Sequence, residues 1–247
     1  MSINRFNYKM SVKCTARTTK GLQCIRKCKS GTTLCGVHLK KPGHQSMTLS
    51  FWNQQDGFSI SELESLKCHF EALGFVSELI SLNTALPIYD NRRTEDASIL
   101  VIRQFEVNDV YDELTTLEWE KTMVKRQKTL NRQDHFLINL TDVDVLKEIK
   151  KTFEKLVGTV NVNGQYYFND KAGHKYQGYN GKRIHLHLND DIRVYFQWYV
   201  NRDKIQEPIE VTIHHNDLYI LSDKAAGFDC KQKNIPVIKH AVGKYGL

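Results

Sequence analysis

Residues 183–200 read RIHLHLNDDIRVYFQWYV. In the first six, Ile184, Leu186 and Leu188 alternate with Arg183, His185 and His187, the period of two that a β-strand imposes. The run from Ile192 to Val200 is aromatic and β-branched, the composition of a second, longer strand. His185 and His187 stand two apart and so share one face of the first strand. That is the pattern of a half-exposed strand with two polar outward positions, and equally that of a pair of metal ligands.

Strand signals continue on both sides. TVNVNGQYYFND, residues 159–170, predicts extended chain with a turn at Asn163 and Gly164, and IEVTIHHNDLYIL, residues 209–221, predicts two strands about a turn at His215 and Asn216. ASILVIRQF, residues 97–105, reads as a buried strand. Helices come earlier. SISELESLKCHFEALGF, residues 59–75, offers a capping box in Ser61 and Glu64 and an apolar face of Leu63, Leu66, Phe70 and Leu73. Cys68 and His69 inside it read as packing and surface residues. DVDVLKEIKKTFEKLV, residues 142–157, repeats the pattern through Val145, Ile149, Phe153 and Leu156. Helices followed by a strand-rich second half predict an α+β protein with a β-sandwich or barrel core.

Composition narrows the class. The 247 residues are 40% hydrophobic with only 4 Pro and 14 Gly, which argues against a fibrous or disordered chain. No run of apolar residues is long enough to span a bilayer, and MSINRFNYKM has no apolar signal core. The expectation is a protein of a virion or of host cytoplasm or nucleus, neither secreted nor membrane-bound, with reduced cysteines. Charge is segregated: residues 1–50 carry ten Lys or Arg and no Asp or Glu, whereas the remainder carries 25 basic and 28 acidic side chains. The basic excess is thus confined to the N-terminal piece, the footprint of a module that binds nucleic acid or another polyanion, with Arg17, Lys20, Arg26, Lys27 and Lys29 as its candidate contacts.

Cysteines punctuate the same piece. Cys14, Cys24, Cys28, Cys35 and His38 are five candidates for the four places around a zinc ion, the metal that such ligands select in a reducing compartment. A segment this short buries too little apolar surface to fold without the metal. The stretch CTARTTKGLQCIRKCKSGTTLCGVH, residues 14–38, resembles a small Cys/His module recurrent in proteins of large DNA viruses. The resemblance implies Cys14, Cys24, Cys35 and His38 as ligands with Cys28 spare, and Thr18 and Gly21 also fit its pattern. A zinc-stapled knob that docks on a viral structural protein is the competing use of the same module.

The order LVIRQF, LEWEK, GQYYF, YFQWY, IEVTIHHNDLYILSDKAAGFD and VIKHAVG resembles a family of 2-oxoglutarate and iron(II) oxygenase-like proteins found mainly in large DNA viruses. The resemblance spans about residues 95–245. It implies a double-stranded β-helix, or jelly roll, with flanking helices, in which an H-x-D or H-x-E pair and a distant His hold iron and leave positions for 2-oxoglutarate and dioxygen. The distant His is His240. Gln177 and Tyr179 stand where the His and the carboxylate should be, so the iron motif is degenerate. The seven residues after His240 contain no Arg to anchor 2-oxoglutarate, leaving Lys244 as the substitute. His174, His185 or His187 would have to rebuild the site.

Three parts are therefore expected: a basic zinc module over 1–50, a helical linker over 51–90, and an oxygenase-like jelly roll over 91–247. The functional expectation is a non-catalytic protein of a large DNA virus whose zinc module binds nucleic acid or a virion component. The alternative is an active iron(II) and 2-oxoglutarate dioxygenase that hydroxylates nucleic acid or protein.

Overall fold

The computed structural model describes residues 46–83, 95–107, 110–116, 136–167, 173–232 and 234–243, with the side chains of residues 136–138 and 173–175 left aside. The zinc candidates Cys14, Cys24, Cys28, Cys35 and His38, the basic residues of the module, and Lys244 lie outside the described residues. The chain divides into two units at Gly43 and His44. The stretch expected as a linker therefore belongs to the second unit, as does Ser46–Trp52.

In chain order, the second unit runs β1 (Ser46–Trp52), α1 (Ile60–Ala72), β2 (Ser77–Ser81), β3 (Ser98–Ile102), α2 (Val110–Thr116) and β4 (Phe136–Asn139). A short 3-10 turn leads into α3 (Lys147–Val157), followed by β5 (Asn161–Tyr167), β6 (Gly173–Gln177), β7 (Arg183–Asn189), β8 (Ile192–Val200) and β9 (Asp203–Lys204). The last elements are β10 (Ile209–Ile213), β11 (Leu218–Leu221), α4 (Asp223–Ala226) and β12 (Val237–Gly243). The architecture is α+β. The strands form one seven-stranded sheet, β2-β3-β11-β7-β1-β5-β4, and one five-stranded sheet, β10-β8-β12-β6 with β9 on β8. Every pairing of these strands is antiparallel.

The seven-stranded sheet is buried on both faces. One face sends Met47, Leu49 and Phe51 of β1 and Ile184, Leu186 and Leu188 of β7 into a core with Leu63 and Phe70 of α1 and Phe153 and Val157 of α3. The Phe51 and Phe153 rings meet edge to face at 4.7 Å. The other face, with Ile99, Val101, Tyr219 and Leu221, packs against Val194, Phe196, Trp198, Ile213 and Ile238. The fully buried Trp198 uses its one polar atom, Nε1, to donate to the Leu82 carbonyl at 2.9 Å.

Three local readings are corrected. The capping box on α1 is Ser59 with Glu62, two residues earlier than Ser61 with Glu64, because Ser59 holds the extended backbone from which a side chain reaches the N3 amide. Leu73 caps the helix end before Gly74, which turns away at φ +90, so Leu73 is 61% exposed and leaves the apolar face. No turn forms at Asn163 and Gly164. Strand β5 runs through them between β1 and β4, with Gly164 opposite both Leu49 and Ile138, so ladder pairing on two sides overrides the local turn signal. The turn expected at His215 and Asn216 does form, with Asn216 at φ +62.

Candidate functional site

The inward face of β7, β1 and β5 is polar. Because Leu186 and its neighbours face the helices, alternation sends His185 and His187 between the two sheets, and both are buried. This corrects the half-exposed, outward reading: with both faces of the sheet covered, polar residues in the alternation mark the second interior face and not solvent. Register places His185 beside Ser50 and Tyr219, and His187 beside Thr48.

The two histidines have separate surroundings. His187 bonds Thr48 Oγ1 through Nδ1 at 3.1 Å and the Asp190 carbonyl through Nε2 at 2.7 Å. A carbonyl can only accept, so Nε2 carries the proton and Nδ1 accepts from the threonine. Burial drives the pKa of His187 down to about 4, and the ring is neutral at physiological pH. His185 bonds Ser50 Oγ at 2.8 Å and the Tyr179 hydroxyl at 2.9 Å, and its ring stacks on Tyr219 at 4.5 Å.

Tyr179 joins the two sheets. It lies just beyond β6, where its amide donates to the Ala226 carbonyl at 2.9 Å. The loop is wedged in place: a Cβ on Gly178 would stand 2.3 Å from the Gly227 carbonyl oxygen, and one on Gly181 2.3 Å from that of Asn53. Gly227 in turn takes φ +78 to close α4, so the SDKAAGFD segment sets the wall against which Tyr179 is fixed. From there the phenol ring meets His240 edge-on at 5.2 Å. His240 sits on β12, buried, opposite Gln177 of β6 and Phe196 of β8.

Gln177, Tyr179 and His240 thus lie near one another at one end of the two packed sheets, and His185 joins them there. The set does not fit an iron(II) triad. Gln177 is exposed. The Tyr179 hydroxyl is already spent on His185, and burial pushes the phenol far above its ordinary range, only partly countered by Arg183. Among the described residues no carboxylate takes its place, and no three His, Cys, Asp or Glu side chains converge as metal ligands. His187 is held apart by Thr48 and Asp190, so it adds nothing to His240. The backbone at His174 pairs with Val242, and its side chain lies outside the described residues.

Two ion pairs on buried carboxylates are invisible to spacing arguments. Lys224 of α4 is buried, and its Nζ bonds Asp229 and the Pro236 carbonyl beneath Trp198. Arg103 bonds the buried Asp217 at 2.6 Å, and that carboxylate also accepts from the amides of Gln104 and His214. These pairs tie LVIRQF to the HHND turn and SDKAAGFD to the start of β12. They were signalled only as charged residues set among apolar runs.

The chain is similar to an uncharacterized protein of Acanthamoeba polyphaga mimivirus, 26% identical over a match covering 76% of this chain and 85% of that protein. The likeness points to an origin in a large DNA virus. No family model matches the chain. No solved structure matches it. Among the described residues, no helix is long and apolar enough to cross a membrane.

Proposed function

We propose that this is a non-catalytic viral protein in which an oxygenase-like jelly roll carries a basic zinc module that binds nucleic acid. The observation that carries the loss of catalysis is the Tyr179 hydroxyl bonded to His185 at 2.9 Å. At the position where the resemblance asks for a metal-binding carboxylate, a neutral phenol closes the gap between the sheets.

Connectivity supports the jelly-roll reading. Strands β5, β7 and β11 lie in one sheet and β6, β8, β10 and β12 in the other, the interleaving of two Greek keys. The strand that would follow β12 belongs between β5 and β7, and β1 fills that slot. Zinc is supported by ligand type and spacing over Cys14–His38, and nucleic acid by the confinement of basic charge to residues 1–50.

Element analysis of the full-length protein tests the reading directly. One zinc and no iron per chain is the expected result, with no succinate formed from 2-oxoglutarate in the presence of added iron(II). Stoichiometric iron, or succinate above background, would make the chain an active dioxygenase and end the proposal.

A further inference from the structure

Arg183, the first residue of β7, has an aromatic environment and, among the described residues, no carboxylate partner. Its guanidinium carbon lies over the Tyr179 ring at 4.0 Å from the centroid and over the Trp52 ring at 5.7 Å. Cation–π contact of this kind uses the flat faces of the guanidinium and leaves its in-plane N–H groups to find acceptors. Its Nε is buried without a hydrogen-bond partner among the described residues. Its neighbour Lys182 is paired with Glu62, whereas among the described residues no carboxylate pairs with Arg183.

Among the described residues, no neighbouring group accepts from those donors. Register sets Arg183 beside Trp52 and Trp52 beside Asn161, with His185, Ser50 and Asn163 in the next inward row. With the Asn163 amide turned so that both its neighbours are satisfied, Trp52 Nε1 donates to the Asn163 side-chain oxygen at 2.9 Å and is spent there. The row is therefore cationic and hydrogen-bonding, with no acid. A guanidinium stays charged at any accessible pH, and a desolvated donor without an acceptor is costly, so such a site is complementary to a group that brings negative charge and two in-plane oxygens.

We propose that Arg183 anchors an oxyanion site at this end of the sandwich, taking the carboxylate or phosphate of a small ligand on its guanidinium fork with Tyr179 and Trp52 as the walls. The inference does not depend on the zinc or iron content of the protein. It adds a ligand to a fold otherwise read as non-catalytic, because binding an anion requires neither metal nor nucleophile.

Isothermal titration of the full-length, zinc-loaded protein with inorganic phosphate and, separately, with succinate tests the site and distinguishes the two sources of oxyanion. At least one should bind at concentrations below about 10 mM, the range of weak single-anchor ligands. Arg183→Gln should weaken that binding by about tenfold or more, and Arg183→Lys, which keeps the charge but not the fork, should recover only part of it. Thermal melting of both variants checks that they fold. The same titration on Arg183→Lys carries the test if Arg183→Gln does not fold. Failure of both anions to bind the wild-type protein overturns the proposal. So does binding that is unchanged in the variant tested, since the anion would then sit on the basic N-terminal residues.

Discussion

His187 shows what a single buried imidazole costs. Its two ring nitrogens are matched to one donor and one acceptor, an arrangement that only the neutral ring satisfies. In the folded chain its pKa is about 4, against an ordinary value of 6.5 once unfolded. As pH falls, the unfolded chain takes up the proton first, so stability from this residue is intact above about 6.5 and is lost progressively down to about 4. The full loss corresponds to roughly 3 kcal/mol at 1.36 kcal/mol per pKa unit. Denaturant unfolding at pH 7 and pH 4.5 should therefore show a decline that is smaller in His187→Gln, whose amide can accept from Thr48 and donate to Asp190 without titrating. Equal declines in both proteins would mean that other groups govern acid stability. The imidazoles were visible in the alternation of residues 183–188, but their burial was not. Strand period tells which residues share a face, and only the presence of a second sheet tells that the face is inside.

At the scale of elements, β1 is the least legible and the most consequential. SMTLSFW stands just after the basic module and carries no local sign of its place, yet it pairs with residues 161–167 on one side and 183–189 on the other. Its partners are more than a hundred residues away, and sequence pattern carries no register over such separations. Helices α1 and α3 were readable because their signal is internal: apolar residues three and four apart around Leu63 and Phe70, or Phe153 and Leu156. Without β1, strands β5 and β7 would each expose an unpaired edge, and Met47, Leu49 and Phe51 would leave voids beneath α1 and α3. Each such side chain is worth roughly 1.5–3 kcal/mol of burial, so three of them rival the 5–15 kcal/mol net stability of a typical domain. A chain beginning at residue 44 should keep the native sheet signal in circular dichroism and resist limited proteolysis, and one beginning at residue 55 should do neither. A protease-resistant product lacking residues 46–52 would show that the sheet closes without its N-terminal strand.

For the molecule as a whole, charge and fold separate along the chain at the same place. The unit boundary falls at Gly43 and His44, and all ten Lys and Arg of the first fifty residues precede it. The second unit carries 25 basic and 28 acidic side chains and so has no net long-range attraction for a polyanion. If the module binds nucleic acid, its affinity must come from counterion release. The logarithm of the association constant for single-stranded nucleic acid should then fall linearly with the logarithm of salt concentration, with a slope near 0.7 per phosphate contacted. Replacing Arg17, Lys20, Arg26, Lys27 and Lys29 by Gln removes five candidate contacts and should flatten that slope by roughly three to four. A chain beginning at residue 44 should not bind at all. Binding that is indifferent to salt, or that survives removal of the first 43 residues, would assign the module to a protein partner instead. A zinc-dependent fold makes the two outcomes separable: chelation should abolish a docking knob, whereas part of a purely electrostatic contact would persist on the unfolded basic chain.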